Sequence, residues 1–445
     1  MSRFLLNLVV LVRRLAMPLA VMLARVGLDK PHNFLRGDIE AELGLFQDPM
    51  SISRSLREEP DQYSIYKEIS QTGLVPAAFL LHGSDTALLA GFWGLMREAF
   101  DSRGRVSRDV REVLAAAVSE AVGCELCVSV HAAFMDGMGF KAAAEYYQAP
   151  KSLRCLDRLP EPHQGVLRWY SMIRMERAGN GPSGASFDAE ARAELLGTVL
   201  AFHYIGGIYP ILMEDLDFID LFMKCIGLRR FRKVPAVRDR IYRGAVFWIG
   251  HSMAKHRPQG ESVALEILGS SDLDLSLPPD LGWCEPNRHI AVAAAGLLAA
   301  AERLAERTLE QPARMVIRSF VEKEWDAASD PAETDVDWVE TALEKADLRS
   351  EVERLTSRLG LMTALSPWQL REERGQELLG EFLARRPKSR AESPDAALLG
   401  LLAWSRLQSS RKFVARLAGE KYAIREPSRQ SIQCAIEDWS ESEPR

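Results

Sequence analysis

Cys124, Cys127 and His131 are spaced three and four residues apart, and residues at that spacing share one face of an α-helix. Two thiols one turn apart can close a disulfide with little backbone change. An imidazole one turn beyond Cys127 can take its proton or stabilise its thiolate, which is the reactive form of cysteine. The same three side chains could instead ligate a metal. No second CxxC and no paired histidines follow at zinc-finger spacing, however, so redox chemistry is the preferred reading over a metal site or an inert remnant. Glu112 is the candidate carboxylate for a proton relay. On one unbroken helix it would lie about 18 Å along the axis from Cys124 and roughly 120° around it. The relay therefore requires a helix-turn-helix at Gly123, with Glu120 as the fallback acid.

The surrounding text reads as helix, with Ala and Leu recurring every three or four residues and little strand-like alternation. One helix is expected over residues 77–104. Another starts at Ser107 as its cap, with Asp109 in its first turn, and runs to Gly123. The next begins at CELCVSVHAAFM and ends near Gly137 and Gly139. Further helices are expected from Asp188 to about Met213, after the loop GNGPSGAS, then from Pro286 onward, and from Ser393 and Pro394. Residues 268–283, rich in Ser, Asp and Pro, read as a linker, and the tail after Arg425 as polar and loose. A shift of about 82 positions lays Glu194 over Glu112, and Gly206, Tyr209 and Met213 over Cys124, Cys127 and His131, which suggests a weak repeat. The segment AALLGLLAWSRLQSSRKF resembles the first of these helices without its cysteines.

The stretch Glu112-x11-Cys124-x2-Cys127-x3-His131 resembles the signature of the AhpD-like alkylhydroperoxidases, within the carboxymuconolactone decarboxylase family. The resemblance is firm over residues 99–139 and looser over about 75–225, where AFHYIGGIYPIL is similar to a stretch of longer members. It implies an all-α fold, with Cys127 as peroxidatic cysteine, Cys124 as resolving cysteine, and His131 and Glu112 as the relay that activates Cys127. The decarboxylase branch lacks the two cysteines, so its lactone reaction is not expected. Four segments follow: an N-terminal helical arm (1–62), an AhpD-like redox domain (63–225), a connecting segment (226–285) and a degenerate helical domain (286–445).

The chain has 445 residues, too many for one ordinary core. With 47% hydrophobic and 27% charged residues it has the balance of a globular protein. A net charge of -6 and the absence of long basic runs argue against nucleic acid as a partner. Arg229 to Lys233 is a short basic run, read as a solvated face. Six cysteines, four of them isolated (Cys155, Cys225, Cys284, Cys434), do not make a disulfide scaffold, so a reducing cytoplasm is expected. The apolar segment from Phe4 is interrupted by Arg13 and Arg14, too early to span a bilayer. It reads as a packed amphipathic helix ahead of a membrane- or partner-binding one or a cleaved signal. His82 and His203 read as core histidines, with His203 kept as a possible site residue.

The expected function is a thiol-dependent peroxidase with a hydroperoxide substrate and an external dithiol or redox protein as reductant. No bound cofactor or metal is expected, and a homo-oligomer is left open. The alternatives are a disulfide reductase for a protein partner and a non-catalytic, redox-sensing helical scaffold.

Overall fold

The computed structural model describes residues 59–70, 77–175, 187–212, 219, 223, 233–255, 260–323, 337–385 and 394–419. The expected N-terminal helix, the loop GNGPSGAS, Met213, Cys225, Arg229 to Arg232, Ser393, Cys434 and the tail after Arg425 lie outside these residues. The described chain is all-α, without strands. Its helices are α1 (Pro60–Ser70), α2 (Ala77–Leu80), α3 (Thr86–Met96), α4 (Arg108–Ala121), α5 (Glu125–Gly137), α6 (Lys141–Gln148), α7 (Glu161–Met175) and α8 (Ala189–Leu212). They continue with α9 (Pro235–Lys255), α10 (Val263–Ser270), α11 (Arg288–Thr308), α12 (Gln311–Lys323), α13 (Asp337–Glu344), α14 (Glu351–Leu365), α15 (Glu373–Arg385) and α16 (Pro394–Ala418).

The segment expected as one helix over residues 77–104 is four pieces. Asp85 is extended, and its carboxylate accepts the Leu88 amide, so a new helix starts after a short 3₁₀ turn. Beyond Met96 the backbone widens into a π-helical turn, Arg97–Asp101, closed by the Ser102 amide on the Arg97 carbonyl. Ser107 does stand at the cap position of α4, but its hydroxyl makes no capping bond and serves the Asp109 carboxylate instead.

The chain does turn at Gly123. Its φ of +74° is a left-handed conformation that glycine adopts without strain, and α5 folds back along α4. Core helix α8 lies across this hairpin. It is long and apolar enough to cross a membrane, yet 94% of its most apolar window is buried inside the molecule. A helix apolar all round is a core helix here.

One continuous hydrophobic core runs from Ile65 in α1 to Leu417 in α16, so residues before 226 and after 285 share it. The stretch 268–283 is not a loose linker. Asp280, Leu281 and Trp283 are buried, and Asp280 takes two hydrogen bonds from Arg411 of α16 at 2.8 and 3.0 Å. An apolar tryptophan and a buried ion pair outweigh the loop-like composition.

The 82-residue register finds no support in the fold. α8 continues unbroken where that register would require the Gly123 turn. Glu194 is spent on the amides of Arg105 and Val106, at 2.8 and 2.9 Å. A longer offset fits better. Asp85 and Asn287, 202 residues apart, both cap by accepting the amide three residues on, and the helices they start, α3 and α11, pack together. A Cβ on Gly91 would sit 2.5 Å from the Leu297 backbone, so glycine permits this close crossing. Helices α8 and α16 likewise pack together and share Ala-x-Leu-Leu-Gly, at Ala193–Gly197 and Ala396–Gly400. Residues 324–336, which this offset sets against the thiol region, contain neither cysteine nor histidine.

Candidate functional site

The hairpin of α4 and α5 sets the site. Cys124 is the N-cap of α5, and Cys127 lies in its first turn. The two are joined by a disulfide, with their Cα atoms 5.3 Å apart, and the Cys127 amide points at the Cys124 sulfur at 3.3 Å. Unsatisfied amides and the positive end of the helix dipole favour a thiolate there once the bond is reduced. The two residues differ in exposure: Cys124 is fully buried, whereas Cys127 and the following Val128–Val130 are half-buried.

His131 is one turn beyond Cys127 along α5, on the same face. Its Nδ1 is 2.6 Å from Oε2 of Glu112, which α4 brings across the hairpin. That carboxylate fixes the Nδ1–H tautomer and leaves Nε2 as the proton acceptor. Phe100, Phe134 and Phe202 surround the imidazole edge-on, with ring centroids 5.7, 6.2 and 4.7 Å away. Glu112 itself is fully buried. Burial alone would raise its carboxyl; Arg108 and His131 outweigh that and hold it below the usual glutamate value. Its Oε1 accepts from Arg108 Nε at 2.8 Å and lies 2.7 Å from Arg108 Nη2.

Thus the structure pairs Glu112 with His131 and Cys124 with Cys127 on one helical hairpin. Glu120, the fallback acid, is committed elsewhere, accepting from Arg154 at 2.7 and 2.9 Å. His203 faces the second half of the chain, with Nδ1 2.9 Å from the Ser410 hydroxyl and its ring stacked on Phe413. His82 is a core residue bridging the Ala78 carbonyl and the Tyr204 hydroxyl. Cys155 is exposed and unbonded, and Cys284 is buried. Among the described residues no three His, Cys, Asp or Glu side chains are arranged to hold a metal ion.

Sequence reasoning missed Arg108, Asp101 and Phe202. Arg108 had a signal, because a cation in the first turn of a helix opposes the dipole and so asks for a reason. A cleft of about 450 Å³ lined by Arg103, Arg105, Glu190, Arg288 and His289 opens near the start of α4. It includes none of the four residues above, so the geometry of the hairpin rather than cavity size locates the chemistry.

The chain is similar to alkyl hydroperoxide reductase Rv2159c of Mycobacterium tuberculosis, with 28% identity over 350 residues, covering 76% of this chain and 86% of that protein. No family model matches the chain. No solved structure matches it either.

Proposed function

Starting from a chain whose motif and curated relative support the AhpD-like family, we propose that it is a peroxidase-type oxidoreductase that reduces hydroperoxides through a Cys124/Cys127 dithiol–disulfide cycle. In the reduced protein the Cys127 proton passes to Nε2 of His131, whose imidazolium is steadied by Glu112. The Cys127 thiolate attacks the terminal oxygen of the hydroperoxide. The O–O bond breaks, a sulfenic acid forms at Cys127, and the alkoxide leaves as the alcohol after taking the relay's proton. The Cys124 thiol then attacks the sulfenic sulfur, water leaves, and the disulfide closes. An external dithiol reduces it by exchange and is itself oxidised.

The observation that carries this reading is the 2.6 Å Glu112–His131 contact within the helical hairpin that holds the disulfide. The unequal burial of the two cysteine residues supports Cys127 as the attacking one. The expected reductant is a small dithiol or a redox protein, and the expected compartment is the cytoplasm.

Steady-state turnover of cumene hydroperoxide with a dithiol reductant tests it. Wild type should turn over and Cys127→Ser should not; equal turnover by both proteins would reject the peroxidase reading. Reduction of a protein disulfide with no peroxide turnover would instead favour a disulfide reductase.

A further inference from the structure

Arg108 occupies the first position of α4, where the helix dipole disfavours a cation, and where Asp109 is the charge of the right sign. It is nevertheless mostly buried, with its side chain 11% exposed. Its guanidinium carbon lies over the Phe100 ring, 3.9 Å from the centroid. It donates to the Phe100 carbonyl at 3.1 Å and to the Asp101 carboxylate, both supplied by the π-helical turn. The opposite edge of the fork, Nε and Nη2, meets only Oε1 of Glu112. Such fork geometry is specific to arginine. Burying a cation of this kind is costly, and a surface pair with Asp101 would not need it.

We infer that Arg108 is a positioning residue of the redox site: by clamping Oε1 of Glu112 it keeps that carboxylate ionised and turned so that Oε2 faces Nδ1 of His131. The inference rests on the proposed relay. The charged groups facing Glu112 are Arg108 from its own helix and His131 from α5, while Asp101 from the π-helical turn reaches it only through Arg108. Phe100 and Phe202 supply the apolar walls around His131. Without the guanidinium, burial governs Glu112, which takes up a proton at higher pH. A neutral carboxyl no longer steadies the imidazolium, so the acid limb of Cys127 reactivity moves upward.

The readout is chosen to be independent of peroxide turnover. In a reduced Cys124→Ser background, iodoacetamide labelling of the Cys127 peptide is followed by mass spectrometry against pH, and protonation of Glu112 by the infrared carboxyl stretch that Glu112→Gln removes. Arg108→Met should raise the pH midpoint of both signals by about one unit or more. Arg108→Lys, which restores charge without the fork, should recover part of that shift. Arg108→Met combined with Glu112→Gln should label like Glu112→Gln alone, because Arg108 acts through Glu112. An unmoved midpoint in Arg108→Met would overturn the inference, as would equal shifts in the Met and Lys variants or additive shifts in the double variant. A wild type that labels with a defined acid limb but turns over no hydroperoxide would reject the peroxidase reading and leave the role of Arg108 standing.

Discussion

At the scale of the residue, the proposed relay depends on a carboxylate that would be unfavourable alone. Glu112 is fully buried, and Arg108 and His131 together keep it charged. Glu112→Gln retains the shape but removes the charge behind Nδ1. Its rate constant for oxidation of Cys127 by hydroperoxide, measured by stopped flow, should fall about 100-fold, the scale of a lost acid–base contribution. Glu120→Gln should leave that rate constant within about twofold, because Glu120 serves Arg154 on the flank of the hairpin. A larger loss in Glu120→Gln than in Glu112→Gln would exchange their roles. The four positions were legible because helical spacing alone aligns Cys124, Cys127 and His131, and only a turn at Gly123 can bring in Glu112. Arg108 and Phe202 were not legible. The first carries only the weak mark of a cation in the first turn of a helix, which does not say what it faces, and the second approaches from a helix some 70 residues further along the chain.

At the scale of the element, the site is a hairpin pressed against α8. Gly206 of α8 lies against the turn: a Cβ there would come 2.7 Å from Val122 Cγ2 and 3.8 Å from the Cys124 Cβ. Gly206→Ala should therefore destabilise the protein by roughly 1–3 kcal/mol through overpacking, read from denaturant unfolding of the oxidised form. A Cβ on Gly123 meets nothing within 4 Å, so Gly123→Ala should cost only the strain of a left-handed alanine, about 1–2 kcal/mol. A neutral result for both would mean the turn is not held as described. Helix positions were readable from periodicity, but their interruptions were less so. Asp85 looks like one more polar residue until its carboxylate is seen capping Leu88, and a π-helical turn has no compositional mark. The 82-residue register failed because Ala-rich helices resemble one another wherever they are laid. Gly206, which that register set in place of Cys124, is instead the residue that packs against it.

At the scale of the molecule, the second half completes the first. Its helices α11 and α16 close the core against α3 and α8, and its sequence holds no second CxxC. The two halves should therefore unfold together, and an acid-sensitive group in one should report on both. His82 is such a group. Burial lowers its imidazole to about 4, against the bond to the Ala78 carbonyl. The unfolded chain takes up that proton near pH 6.5 and the folded chain only near 4, so stability is lost as pH falls through this window, by about 3 kcal/mol at its lower end. His82→Gln should flatten that part of the profile of unfolding free energy against pH; an unchanged slope would show that His82 is not held neutral. The shared core was hidden at the sequence level by residues 268–283, whose Ser, Asp and Pro content looks like a linker, although Leu281, Trp283 and the Asp280–Arg411 pair tie it inside.

The stoichiometry of a single turnover bears most directly on the chemistry. Fully reduced protein is mixed with one equivalent of cumene hydroperoxide and no reductant, and the alcohol product and the cysteine peptides are quantified together by mass spectrometry. One alcohol should form for each Cys124–Cys127 disulfide, and Cys124→Ser should yield the same alcohol with a trapped sulfenic acid at Cys127. Alcohol formed while both thiols stay reduced, or a trapped sulfenic acid on Cys124 rather than Cys127, would contradict the proposed cycle.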